Sequence, residues 1–153
     1  MEAQPYTDFD DAHLLALCIF RESSNQPMLG RRGVGCCARN RVNSRWLGDS
    51  TYHGVILHPY QFSSFNAPPR THITDPNESR WPVDGDPAWV ECLAEANYVL
   101  AGCDDVTNGS RFYFSPPVKV PPTAWGPVVP TASIAALSFW KPAPADLSIQ
   151  GDV

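Results

Sequence analysis

The sequence predicts a helix-dominated α+β fold, on three observations. Apolar residues recur at helical spacing in three separate stretches. A short aromatic run, Phe112-Tyr113-Phe114, follows an Asn-Gly turn signal and reads as a strand or hairpin arm. Eight of the 16 prolines lie between Pro116 and Pro144, where they forbid long helix, because proline lacks an amide donor and restricts its predecessor. The C-terminal third is therefore expected to be extended and turn-rich.

The first helix is well marked. Asp10 or Asp11 can cap it, and Leu14, Leu15, Cys18 and Ile19 follow on one face. Glu22 continues that stripe at the helix's C-terminal end, on the edge of the core-facing side. Ser23 to Gln26 break the pattern, and Pro27 suits the first turn of a second helix running to about Asn43. Its inward positions are Val34, Cys37 or Ala38, and Val42, with Arg31, Arg32 and Arg39 outward. Gly30, Gly33 and Gly35 each cost about 1 kcal/mol against alanine in a helix interior. Such glycines admit a close neighbour, expected here to be the first helix, so the pair reads as a helical hairpin.

Between Trp46 and Pro59 there is one short apolar run, Val55-Ile56-Leu57. Residues 66–87 read as a long surface loop rich in proline, aspartate and asparagine. In the third helix Asp86 caps, Pro87 opens the first turn, and Trp89, Leu93, Ala96, Val99 and Leu100 form the stripe. Gly102 supplies a left-handed stop. Alternation along the aromatic run sets Tyr113 opposite Phe112 and Phe114, which are expected to be packing.

Composition excludes several functions. At 153 residues, 43% hydrophobic and 18% charged, the chain is about one domain long and is not a disordered tail. Its longest apolar stretch, Leu14–Phe20, falls far short of the roughly 20 residues of a membrane span. A net charge of −5 argues against a nucleic-acid partner, since phosphate contacts need a basic face. Five cysteines in no regular framework read as buried free thiols. The N-terminus has no basic and apolar leader, so synthesis in a cytoplasm without a secretory signal is expected, and action outside a cell would need release or delivery by something else.

Three constellations could carry chemistry. Glu22 is the first: a carboxyl beside apolar surface, at the negative end of a helix, is favoured in its neutral, proton-carrying form. Its plain alternative is a helix-end glutamate pointing at water. The second is a thiol activated by His13, His53, His58 or His72, though no local sequence resembles a cysteine-enzyme motif. The third is an aromatic, amide-rich surface drawn from Tyr60, Gln61, Phe62, Phe65, Asn66, Tyr113 and Trp125, suited to ligands with apolar ring faces. No metal-ligand spacing stands out, and neither a metal nor another cofactor is expected.

Taken in order, several short motifs resemble the cell wall hydrolase family of the spore-cortex-lytic (SleB/CwlJ-like) enzymes. They are Leu14-Leu15-Ala16-Leu17-Cys18-Ile19-Phe20-Arg21-Glu22, then Gly33-Val34-Gly35 and Asn40-Arg41-Val42. Gly54-Val55-Ile56 leads on to Gln61-Phe62-Ser63. Ala96 and Val99-Leu100-Ala101-Gly102 precede Asp105-Val106-Thr107-Asn108-Gly109-Ser110 and the aromatic strand. The resemblance covers roughly residues 10–115, with a tail at 1–9 and a proline-rich segment at 116–153 packed on the same domain.

The resemblance implies a lysozyme-like domain that cuts peptidoglycan glycan strands at the β-1,4 bond between muramic acid and glucosamine. It gives Glu22 the role of catalytic acid, and Gln61, Phe62, Ser63, Asn108 and Tyr113 that of substrate contacts. Family members often carry a second glutamate four residues on, where this chain has Gln26, and a histidine near the final strand, where it has none after His72. A one-acid lytic transglycosylase route therefore fits, with Glu78, Asp104 and Asp105 as candidate second carboxylates for ordinary hydrolysis. The alternatives are a cysteine–histidine amidase cutting stem peptides and a non-catalytic wall-binding or virion component. A phage lysis or tail-associated enzyme is one setting that fits, with docking to a larger phage or secretion particle, and a bacterial effector exported by another route fits as well.

Overall fold

The structure, a computed structural model, describes residues 4–59, 61–65 and 81–144, with Ser63 described in its backbone only. Among the described residues there are four α-helices, α1 (Asp11–Ser23), α2 (Met28–Asn43), α3 (Tyr52–Leu57) and α4 (Pro87–Leu100), all ahead of the sheet in the chain. Three strands, β1 (Phe112–Phe114), β2 (Val128–Ile134) and β3 (Leu137–Pro142), form an antiparallel sheet in the order β1-β3-β2.

Two of the expected caps are in place. The Asp10 carboxylate accepts from the His13 amide at 2.8 Å, and that of Asp86 from the Ala88 amide at 2.9 Å. Pro27 sits at the N-cap of α2, one residue ahead of its expected place in the first turn. Helix α3 is an addition to the expected count. Thr51 caps it, accepting from the Gly54 amide at 2.9 Å, and it buries Val55 and Ile56.

Helix α1 differs most from a one-sided stripe. Residues Leu14 to Ile19 are all fully buried, so this helix runs through the core, with α2, α3 and α4 packed around it. A helix apolar on every side belongs inside. In α4, Trp89, Cys92, Ala96 and Val99 face the core, whereas Leu100, expected in the stripe, is 36% exposed.

The glycines of α2 admit three neighbours. A Cβ on Gly35 would lie 2.9 Å from Val99 of α4 and 3.1 Å from Ile19 of α1. One on Gly33 would lie 2.6 Å from the Phe139 ring, so there the close neighbour is the sheet rather than the first helix. The arginines expected to point outward turn instead onto α4. Arg32 forks onto buried Glu95 at 2.7 and 3.2 Å, Arg31 pairs with Glu91, and Arg39 donates to the Val99 carbonyl at 3.0 Å.

The C-terminal third holds more sheet than its prolines suggested. Pro130 lies in β2, which is an edge strand where a missing amide breaks no inner ladder, and a bulge separates Pro130 from Ala132. Strand β3 pairs with β1 on its other side, with Tyr113 opposite Phe139. This pairing carries β1 across the end of α1.

Candidate active site

Glu22 lies in the last turn of α1, whose burial draws its end into the body of the protein. Its neighbours turn away from it. Arg21 is buried on another side, its guanidinium donating to the Tyr6 hydroxyl at 2.8 Å, and the Ser23 hydroxyl returns to the Ile19 carbonyl at 2.9 Å. Glu22 instead meets β1, and its Oε1 accepts a hydrogen bond from the Tyr113 hydroxyl. Burial, with the Glu22 charge beside it, holds the Tyr113 phenol well above the ordinary range, so it stays a donor.

Arg41 enters from α2. The spacing Val34, Cys37, Arg41 puts it on the inward face, and it is only 4% exposed. Its guanidinium lies over the rings of Phe62 at 4.8 Å and Phe112 at 5.8 Å, and Nε donates to the Arg111 carbonyl at 2.6 Å. Nη1 is buried without a hydrogen-bond partner among the described residues. A desolvated cation of this kind acts on its surroundings far more strongly than one in water.

The turn after α2 supplies one rim. Arg45 and Leu47 both adopt left-handed backbone, at φ 53° and 55°, which is uncommon for such side chains and clusters at functional sites. The turn sets Trp46 edge-on to Phe112 at 5.1 Å and within 3.4 Å of the Gln61 amide oxygen, while Leu47 stays half-exposed. Trp125 stacks on Phe112 at 4.7 Å.

Together Glu22, Arg41, Trp46, Leu47, Gln61, Phe112, Tyr113, Ala124 and Trp125 line a cleft of about 590 Å³. That lies within the range of small-ligand sites, roughly 300–1,000 Å³. Glu22 is the one carboxylate, and Arg41 the one cation, among the described residues lining it.

Of the residues expected from sequence, the structure brings Glu22, Gln61 and Tyr113 into this cleft. Phe62 lies behind it, 1% exposed beneath Arg41. The Ser63 side chain, Tyr60, Asn66, His72 and Glu78 lie outside the described residues. Asn108 sits on an exposed turn at φ 56°, its amide donating to the Thr131 carbonyl at 3.2 Å, and does not line the cleft. The motif around it is architectural. Asp105 accepts from the Thr107 amide and hydroxyl at 2.8 and 2.6 Å, and from the Asn40 side chain and Gly109 amide at 2.8 Å each. Burial works against that carboxylate, but these bonds outweigh it and hold Asp105 below the usual range. Asp104 is exposed and, like Asp105, is absent from the lining.

Gln26, at the family's second-glutamate position, faces a different groove of about 430 Å³, shared with Arg31, Glu95 and Tyr98. Sequence reading missed Arg41 and Trp46, and took Phe112 for packing alone. The helical spacing of Arg41 was its available signal.

Four of the five thiols are buried and poor nucleophiles, whereas Cys103, expected to be buried like the rest, is part-exposed. Burial raises Cys18 well above the ordinary range, Cys36 to about 12 and Cys92 to about 11, and it raises Cys37 as well. His58 pairs with Asp49 at 2.7 Å, His13 with Asp10 at 2.8 Å, and His53 with the Phe9 carbonyl at 2.8 Å, so these histidines hold oxygen partners.

The sequence pattern described as Cell Wall Hydrolase matches residues 25–140, most of the chain. The chain belongs to the cell wall hydrolase family. Its fold matches the catalytic domain of the germination-specific lytic transglycosylase SleB from Bacillus anthracis, with a TM-score of 0.64 and 22% identity over 88% of this chain and 98% of that one. The SleB catalytic domain from Bacillus cereus matches with a TM-score of 0.63 and 24% identity, over 86% and 89% of the two chains. A comparison with curated protein sequences finds no match. The helix-rich architecture with a small antiparallel sheet is thus that of the SleB catalytic domain, as the sequence motifs implied. The family pattern takes in α2, the Trp46 turn, Gln61 and β1. Glu22 precedes it, so the case for that residue rests on the cleft itself.

Proposed function

We propose that this cell wall hydrolase cleaves the β-1,4 bond between muramic acid and glucosamine in peptidoglycan as a lytic transglycosylase. The observation that carries the reading is a cleft with one carboxylate in its described lining, oriented by a buried phenol. Hydrolysis by the usual glycosidase routes uses two carboxyl groups, whereas an intramolecular route uses one.

In this reaction the Glu22 carboxyl gives its proton to the glycosidic oxygen as the bond to the muramyl anomeric carbon breaks. The resulting carboxylate then takes the proton of the muramyl 6-hydroxyl as that oxygen attacks the same carbon. The products are a glucosamine 4-hydroxyl end and a 1,6-anhydromuramyl end, and no water is consumed. Tyr113 holds Oε1 throughout, which leaves Oε2 for the substrate. Between the two steps the Tyr113 hydroxyl donates to the carboxylate, and the Arg41 cation lines the same cleft. Gln61, Trp46 and Trp125 offer an amide and flat rings to the sugars.

Mass spectrometry of fragments released from purified peptidoglycan tests this directly. Anhydromuramyl ends, absent with Glu22→Gln, are the expected result. Reducing muramyl ends would replace the one-acid route with hydrolysis. Freed stem peptides, or release that survives the substitution, would refute the assignment of Glu22.

A further inference from the structure

The sheet has two unlike faces. Tyr113, Phe139 and Leu137 turn inward, Phe139 fully buried against Gly33 and Tyr113 reaching Glu22. Alternation sends Phe112 and Phe114 of β1 to the other face, joined by Trp140, which lies opposite Phe112 in the register. An antiparallel sheet with one face on the core ordinarily presents polar residues on the other. Here the outer face is aromatic.

Two further rings make it continuous. Trp46 meets Phe112 at 5.1 Å, Phe112 stacks on Trp125 at 4.7 Å, Trp125 meets Phe114 at 6.1 Å, and Phe114 stacks on Trp140 at 6.1 Å. Trp46, Phe112 and Trp125 line the cleft beside Glu22, whereas Phe114 and Trp140 lie beyond its lining and stay part-exposed. The Trp140 indole is fixed by a 2.7 Å hydrogen bond to the Ser138 hydroxyl. The stripe thus starts inside the cleft and runs out of it over the sheet.

We propose that this stripe is an extended subsite for the glycan strand, carrying sugar rings past the cleft over Trp125, Phe114 and Trp140. The inference rests on the reading of the cleft as a glycan-cleaving site. A β-1,4-linked strand presents flat C–H faces along its length and keeps its hydroxyl edges for water. Rigid, part-exposed rings match such faces and lose little conformational entropy on contact. A strand gripped outside the cleft is held without adding any group near the reacting bond.

The test is binding of peptide-free glycan strands by co-sedimentation and calorimetry, using the full chain with Glu22→Gln to prevent turnover. Adding Trp140→Ala should weaken binding roughly tenfold, the size of one truncated aromatic contact. Trp140→Phe keeps a flat ring and should stay within about threefold of the parent. Phe114→Leu, which keeps apolar volume but loses the ring, should lose several-fold and serves if Trp140→Ala does not fold. Parent-like affinity in a folded Trp140→Ala or in Phe114→Leu overturns the inference and leaves the cleft reading intact. A parent that binds no strands at all overturns both.

Discussion

Removing one oxygen atom tests how Glu22 is held. Tyr113→Phe keeps the ring, which packs on Phe139 at 5.9 Å, and deletes the hydroxyl that donates to Glu22 Oε1. A hydrogen bond to a charged group contributes about 1.5–3 kcal/mol net. If that interaction orients the acid and steadies the carboxylate formed on proton donation, its loss lowers kcat roughly ten- to a hundredfold. Stability should change by less than about 1 kcal/mol, because Glu22 is part-exposed in the cleft and the freed oxygen can turn to water. The assay is the rate of muropeptide release from purified peptidoglycan across substrate concentrations, beside a thermal melt. The expected pattern is a fall in kcat with KM nearly constant. A kcat within twofold of wild type, or a rise in KM alone, would show that Tyr113 does not act through Glu22.

Other substitutions probe the frame. Asp105→Asn places an amide where two donors, the Asn40 side chain and the Gly109 amide, now meet a carboxylate oxygen, and should cost about 2–4 kcal/mol in a denaturant titration. Because the native Asp105 value is lowered, its contribution is present above the unfolded value of about 3.9 and fades as the pH falls through the native one. Wild type should therefore lose stability over that acid window more steeply than Asp105→Asn, and equal slopes would contradict the assignment. Gly33→Ala sets a Cβ against the fully buried Phe139 ring and should destabilise by about 1–3 kcal/mol despite a better helix propensity, with Phe139→Leu in the double mutant returning part of the loss. Iodoacetamide at neutral pH should leave most muropeptide release intact, since burial holds Cys18, Cys36, Cys37 and Cys92 as thiols. Inactivation in step with alkylation would bring cysteine chemistry back.

The parts of the fold legible in the sequence were those with a local cause. Asp10 and Asp86 announce helix starts through their own side chains, and Gly102, at φ 90°, ends α4 as a left-handed stop. Helix α3 was hidden because its six residues are too few to show a period. Strands β2 and β3 were hidden because Pro130 and Pro142 read as breakers, and only the strand order makes a proline harmless at an edge. In the site, Glu22 and Tyr113 were each visible from a short-range period. Their contact spans 91 positions and depends on β3 drawing β1 across the end of α1, which no local pattern encodes. Asn108 lies away from the cleft for a similar reason: its motif is built around the Asp105 carboxylate, and the loop's hydrogen bonds turn inward to Asn40 and Thr107 rather than toward the cleft.

The proposed one-acid chemistry is supported by where the described side chains point, and not only by the missing glutamate. Four residues beyond Glu22 lies the α1–α2 corner, and Gln26 there faces the groove against α4, together with Arg31 and Glu95. A glutamate at that position on this backbone would add charge to a surface already holding the Arg31–Glu91 and Arg32–Glu95 pairs. It would not enter the Glu22 cleft. Gln26→Glu should therefore leave product chemistry unchanged, with anhydromuramyl ends still released, and shift stability by only a few tenths of a kcal/mol. Asp104 is turned to solvent and Asp105 is saturated by four donors, so neither is available to activate a water at the cleft. What the described cleft does provide beside its acid is a phenol that stays protonated and a buried cation with a spare N–H. In the proposed reaction the phenol donates to the carboxylate that has just given up a proton, the state that must then act as base toward the 6-hydroxyl. Reducing muramyl ends from Gln26→Glu would show that this corner does reach the substrate, and would return the second carboxylate to the mechanism.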